Sequence, residues 1–209
     1  MRIGILGSGN VGGALGKRWA GAGHAVAFAS REPGSAAMAE LVAAAGPNAR
    51  ATTAAEAVAA SEVILVATPW PATKGVVESL AWEGKVLIDA TNPLLPKLAG
   101  LEYANSTSGA EQVAGWAVGA KVVKAFNTVG YNVMENPDFG GQPATLFYCG
   151  DDAAAKATVR ELAIAVGFAV EDAGPLKQAR LLEPFALLWI SLAMVQGYGR
   201  DIGFSLLRR

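Results

Sequence analysis

The first thirty-one residues constrain this chain more than any other stretch. The run Arg2-Ile3-Gly4-Ile5-Leu6 is short, apolar and rich in strand formers, and it breaks into Gly7-Ser8-Gly9-Asn10-Val11-Gly12. A helical pattern through Ala14, Leu15, Arg18 and Trp19 follows, and then a second apolar run, Ala25-Val26-Ala27-Phe28, closes on Ala29-Ser30-Arg31. Strand, G-x-G-x-x-G, helix and strand in one unit is the context in which this motif holds a dinucleotide. Gly7 makes the tight turn, Gly9 lets a pyrophosphate approach the backbone, and Gly12 lets the helix pack close to the sheet. The amides of the first helical turn, at the positive end of the helix dipole, would grip the phosphates. Gly7, Ser8, Gly9, Asn10, Val11 and Gly12 are therefore the first candidate cofactor residues. In a chain with 25 glycines the motif alone is weak evidence, and its flanks carry the reading.

The end of the second strand decides between the two nicotinamide cofactors. NAD sites place an acidic residue there to accept from the ribose hydroxyl. This chain offers Ser30 and Arg31, a hydroxyl and a guanidinium fork that suit a 2′-phosphate, with Glu32 directly after. The reading is NADP(H), against a plain solvated loop with an incidental arginine.

Alternating units follow. Residues 35–45 read as an Ala-rich helix, residues 51–52 as a short strand, and Thr53 with Glu56 as a capping box. Residues 62–67 are a continuous apolar strand, as in a sheet covered on both faces, and stop at Thr68-Pro69-Trp70. Ligands sit beyond the carboxyl ends of such strands. Thr68, Pro69 and Trp70 are thus expected over the cofactor, with Trp70 equally readable as a loop-packing aromatic. Residues 85–89 form the next strand, with Asn92 beyond it as either a ligand contact or a turn starter. Residues 95–107 show no period. Ser108 and Glu111 suggest another capping box, and the strand at 122–126 ends at Asn127 on the same edge.

Residues 132–141 look like an irregular excursion or lid. Asp151 is expected to cap the helix at 153–166, and Leu181, Phe185, Leu188, Trp189 and Leu192 give the final helix a broad apolar face. The expected fold class is α/β, a Rossmann-type doubly wound and mostly parallel sheet. A small C-terminal α/β extension would end in a long helix. Residues 1–129 would form the dinucleotide-binding domain, and residues 130–209 a small substrate-side domain packed on it.

A net charge of −1 leaves no basic face for nucleic acid and no polybasic membrane patch. The single cysteine, Cys149, excludes an internal disulfide and a cysteine zinc cluster, and its apolar setting reads as a buried thiol. The opening strand and the short apolar stretch at 184–195 lead to an expectation of a cytoplasmic protein with no membrane span.

The chain resembles the coenzyme F420-dependent NADP oxidoreductases, the small NADPH:F420 reductases. It is also similar to the cytosolic reductase domain of six-transmembrane metalloreductases. The markers are the glycine turn, Ser30-Arg31, Thr68-Pro69-Trp70, Tyr148-Cys149-Gly150-Asp151-Asp152, and Asp172-Ala173-Gly174-Pro175-Leu176 followed by Arg180-Leu181 and Glu183. Gly197-Tyr198-Gly199, Gly203 and Leu206-Leu207 also fit. The resemblance implies NADP(H) on the N-terminal part, with a deazaflavin such as coenzyme F420, or a flavin, against the nicotinamide. Asn92, Pro93, Asn127 and residues 194–199 would face that second substrate.

A deazaflavin carries its own electron sink, whereas a ketone needs a tuned acid such as His, Lys or Tyr. His24 precedes the second strand and so belongs to the opposite edge. Lys97, Lys124 and Tyr131 show no recognisable partner in sequence. No catalytic residue and no metal ligand is named. The shortage of an obvious acid favours a flavin-like or metal-chelate acceptor. An imine or ketone reductase on the same fold, and a non-catalytic NADP(H)-binding protein, remain open. The apolar face of the last helix makes a homodimer plausible.

Overall fold

Runs of consecutive apolar residues occupy the centre of the sheet because helices cover both of its faces. In the computed structural model, which describes residues 1–209, β1 (Arg2–Leu6), β4 (Val63–Val66) and β5 (Val86–Asp89) lie side by side. Their Ile3, Ile5, Ile64, Leu65, Leu87 and Ile88 are fully buried. β2 (Ala25–Ala29) and β3 (Ala49–Thr52) extend one flank, while β6 (Lys121–Lys124), β7 (Thr145–Gly150) and β8 (Ala169–Asp172) extend the other. The order is β3-β2-β1-β4-β5-β6-β7-β8, parallel throughout except for the β6–β7 pair. This is the doubly wound α/β sheet expected from the alternating units. The order in which strands are added reverses between β1 and β4, the topological switch point where such sheets hold ligands.

One face is covered by α1 (Asn10–Gly21), α2 (Ala36–Ala45), α6 (Tyr131–Glu135) and α7 (Ala153–Val166). The other is covered by α3 (Ala54–Ala60), α4 (Trp70–Glu78), α5 (Gly109–Trp116) and α8 (Ala179–Ile190). The close packing of α1 depends on Gly16 as well as Gly12. A Cβ on Gly16 would stand 2.3 Å from the Phe28 ring, and one on Gly12 would stand 2.0 Å from the Gly7 carbonyl oxygen.

Several local readings change. The Thr53–Glu56 capping box forms as expected, but Asp152 rather than Asp151 caps α7, accepting from the Ala155 amide at 2.8 Å. Asp151 is turned instead to the Leu176 amide at 2.9 Å, where it anchors the start of the last helical run. At α5 the Ser108 hydroxyl accepts from the Glu111 amide, but the Glu111 carboxylate is taken by Arg180, at 2.6 and 2.9 Å. Residues 95–107 are held by a Leu94–Leu101 bridge and a short turn, Pro96–Leu98. Residues 132–141 contain most of α6 and run into an Asp138–Pro143 bridge.

The final helix keeps Trp189 of the expected face buried and Phe185 and Leu192 half-buried, but turns Leu181 and Leu188 outward. Ala179, Leu182, Glu183, Ala186, Trp189 and Ala193 are buried, whereas Leu181 and Leu188 are 67% and 50% exposed. Ala179, Ala186 and Ala193 let the helix approach, and Leu182 and Trp189 fill the same stripe. A turn, Leu176–Gln178, and a π-helical turn, Ser191–Val195, extend α8 at its two ends. By length and composition alone the run Leu176–Val195 could cross a bilayer, which the shorter stretch at 184–195 could not.

Candidate active site

The carboxyl edge of the sheet is built around the turn after β1. Gly7 has φ +100°, and a Cβ there would come 2.5 Å from the Ala67 carbonyl oxygen, so the turn lies directly against the end of β4. Gly9 differs. A Cβ there would meet nothing within 4 Å, so its backbone faces open space. Gly9 is also the N-cap of α1 and brings no side chain to cap it. The first-turn donors are thereby left without a side-chain partner. Ser8, Asn10 and Val11 are partly or fully exposed along this opening.

One strand away, at the end of β2, Ser30, Arg31, Glu32 and Ser35 line a wholly polar cup of about 400 Å³. The Ser30 hydroxyl accepts from the Glu32 amide at 3.0 Å, which fixes the bend and leaves Arg31 exposed. Ser35 stands at the N-cap of α2, but its hydroxyl makes no capping bond. It is an addition to the residues read from sequence, and a serine directly before an Ala-rich helix was the available signal.

The loop after β4 is tied to its own helix and to the 95–107 segment. Thr68 Oγ1 lies 2.9 Å from Thr73 Oγ1, and Pro69 is the N-cap of α4. The Trp70 indole donates to Glu102 Oε2 at 2.7 Å. Its ring packs against Trp116 and Tyr103, with centroids 5.5 and 6.0 Å away. Trp70 thus joins α4, α5 and the 95–107 segment.

Asn92 and Asn127, beyond β5 and β6, meet. Asn127 Nδ2 donates to Asn92 Oδ1 at 3.1 Å and to the Leu182 carbonyl at 3.2 Å, while Asn92 Nδ2 donates to the Asn127 carbonyl at 3.0 Å. Phe126 enters this bend with φ 67°, a left-handed conformation that costs a non-glycine residue about 1–3 kcal/mol. Residues held this way cluster at functional sites.

Beneath the asparagines lies a charge cluster that sequence reading missed. Lys124 Nζ lies 2.9 Å from both Asp89 Oδ2 and Glu183 Oε1, and donates to the Thr91 carbonyl at 2.6 Å. All three charged side chains are fully buried. Asp89 also accepts from the Thr91 amide and hydroxyl, and Glu183 accepts from the Gly109 and Ala110 amides at the start of α5. Burial works against the Lys124 ammonium, but Asp89 and Glu183 outweigh it and raise its pKa. The available signal was an Asp and a Lys closing two adjacent apolar strands, where they are direct register partners.

Cys149 is buried, and desolvation pushes its thiol up to about 12. His24 lies at the opposite edge with Nδ1 3.1 Å from the N-terminal amine. Burial and that charge lower its pKa.

Residues 2–93 match the family described as NADP oxidoreductase, coenzyme F420-dependent. Over its full length the fold is similar to that of a candidate F420-dependent NADP reductase from Arthrobacter sp. FB24, with TM-score 0.85, 29% identity and 100% of both chains covered. It is also similar to the hypothetical protein SMa0349 from Sinorhizobium meliloti, with TM-score 0.77 and 27% identity over 100% of this chain and 96% of that one. A reductive aminase from Aspergillus terreus shares the fold over 94% of this chain and 62% of that one, with TM-score 0.66 and 22% identity. Metalloreductase STEAP3 of Rattus norvegicus is 34% identical over 190 residues, 89% of this chain. The chain spans only 36% of that relative's length. The likeness to the coenzyme F420-dependent NADP oxidoreductase family is thus a sequence match over residues 2–93, and a likeness of fold to a candidate reductase of that kind over the whole chain.

Proposed function

We propose that this chain binds NADP(H) along the carboxyl edge of its sheet and passes hydride between it and a flavin-like acceptor, with coenzyme F420 the first candidate. The reading rests on one juxtaposition, a glycine turn open at Gly9 beside a wholly polar cup holding Ser30, Arg31 and Ser35. An open backbone bend suits a pyrophosphate, and a guanidinium with hydroxyls suits a 2′-phosphate. Gly7, Ser8, Gly9, Asn10, Val11 and Gly12 would hold the former, and Ser30 and Arg31 the latter. Thr68, Pro69, Trp70, Asn92 and Asn127 would border the nicotinamide end. The bound nucleotide supplies the hydride, and the chain's own contribution is to align the two partners. Lys124 is locked between two carboxylates out of contact with solvent, so it is not free to act as an acid. That supports an acceptor with its own electron sink.

On this reading residues 1–129 carry the nucleotide and residues 130–209 border the acceptor, in the cytoplasm. The outward Leu181, Leu188, Met194 and Val195 would seat a second copy of the chain. The second reading is a different acceptor on the same fold: a ferric chelate, which the likeness to a metalloreductase favours, or an imine or ketone. A purely NADP(H)-binding protein would turn over none of them. Stopped-flow oxidation of NADPH with F420, FMN and ferric chelates, tried separately, distinguishes these readings. Arg31→Ala should weaken NADPH binding by about 1.5–3 kcal/mol, the range for a hydrogen bond to a charged group, and leave NADH unchanged. Equal losses for both nucleotides would overturn the assignment of the cup.

A further inference from the structure

A second cavity, of about 300 Å³ and lined half by apolar residues, opens at the amino edge of the sheet, away from the glycine turn. Strand register explains its shape. Gly4 pairs with Ala27 and Ala27 with Arg50 in one row, and Arg2 pairs with Ala25 in the row before. Residues two apart on a strand share a face, so all five project to the side covered by α3. That helix has only seven residues, and the Ala57 carbonyl above Gly4 marks where it sits on β1. The amino halves of β2 and β3 on this face are left open. Small side chains make the floor and arginines make the rims.

The inner end of the cavity holds Ser61, which is only 3% exposed and lines the space. Its backbone is engaged, the amide with the Val58 carbonyl and the carbonyl with Lys85 Nζ at 2.7 Å, but its hydroxyl has no partner in the protein. Lys85 therefore adds a cation behind the serine. Arg50 makes no ion pair within 4 Å, though its charge helps to lower the pKa of Glu56 on α3. Arg2 meets Glu62 at 3.4 Å, with the two side chains 68% and 48% exposed, a pairing of little strength. Two strand spacings and two residue rises put the Cα atoms of Arg2 and Arg50 about 12 Å apart, so both long side chains reach an ion between them.

We propose that this cavity binds a small organic oxyanion, a carboxylate or phosphate on a short apolar stem. Arg2 and Arg50 pair with its charge, the Ser61 hydroxyl donates to it, and Ala25 and Ala27 take the stem. The site goes beyond the nucleotide reading and stands or falls apart from it.

The test is calorimetry and thermal unfolding of the full chain with sodium phosphate and, separately, sodium succinate, against sodium chloride at matched ionic strength. All runs use the Arg31→Ala background, which removes the guanidinium of the other cup. Saturable binding of at least one oxyanion is expected, with phosphate alone marking a phosphate site and succinate alone a carboxylate site. Arg50→Ser and Ser61→Ala should each weaken it about tenfold or more, as for a hydrogen bond to a charged group. Ala25→Leu should abolish it by filling the floor, and because Ala25 is exposed the fold stays intact. No saturable binding of either oxyanion, or binding undiminished in Arg50→Ser and Ala25→Leu, overturns the proposal. Loss of NADPH binding would bear only on the other site.

Discussion

Replacing Lys124 with methionine would leave two carboxylates facing each other where no water reaches. Asp89 and Glu183 each lie 2.9 Å from the Lys124 nitrogen, and none of the three side chains is exposed. Breaking a buried ion pair costs about 3–5 kcal/mol because the remaining charge is uncompensated. This single deletion breaks two such pairs, and the neutral donors left behind, the α5 amides on Glu183 and the Thr91 amide and hydroxyl on Asp89, replace neither charge. The expected loss is therefore at the top of that range, about 5 kcal/mol. Set against a domain stability of about 5–15 kcal/mol, it is a large share. Urea unfolding followed by circular dichroism at pH 7 reads it as a lower midpoint at unchanged slope. Glu183→Gln is the control. It leaves the Lys124–Asp89 pair balanced and should cost only about 1–3 kcal/mol, the range for an imperfectly satisfied buried group. The pH dependence follows from the raised Lys124 pKa. Its contribution is fully present below the ordinary lysine value, near pH 10, and is lost as pH rises through the higher folded value. Wild type should shed that share in alkali, and Lys124→Met should not. A Lys124→Met protein within about 1 kcal/mol of wild type at pH 7 would refute the reasoning.

Gly16→Ala should force α1 away from Phe28 and Ile5, destabilising by about 1–3 kcal/mol and weakening NADPH binding, both measurable on one preparation. Cys149, with its thiol at about 12, should resist iodoacetamide at pH 8 in the native protein and react once urea unfolds it. Hydrogen bonds from the Thr52 hydroxyl and from the Thr53 amide and hydroxyl bring Glu56 down to about 2. Its stabilising contribution is present above the ordinary carboxylate value and lost as pH falls towards 2, and an NMR titration of Thr53→Ala should show the value rising.

Local chemistry was legible where one residue type answers one geometric need. The turn at Gly7, the open backbone at Gly9 and the capping box at Thr53 depend on neighbours in sequence, so the pattern contains them. The buried stripe of α8 was legible only in part, at Trp189. Periodicity weighs Leu181 and Leu188 above Ala186 and Ala193, whereas close approach selects the small residues. Nor could sequence bury Glu183, since its partners Gly109, Ala110 and Lys124 come from elements far away in the chain. Asp151 and Asp152 were equivalent caps until the Leu176 amide claimed the first.

The antiparallel pairing of Val123 with Gly150 and of Lys124 with Cys149 has a mechanical consequence. It sews the C-terminal third into the same hydrogen-bonded surface as the glycine turn, so the two ends of the molecule cannot swing apart like jaws. Any molecule bound along that edge therefore meets a single continuous sheet whose two flanks hold a fixed distance from each other.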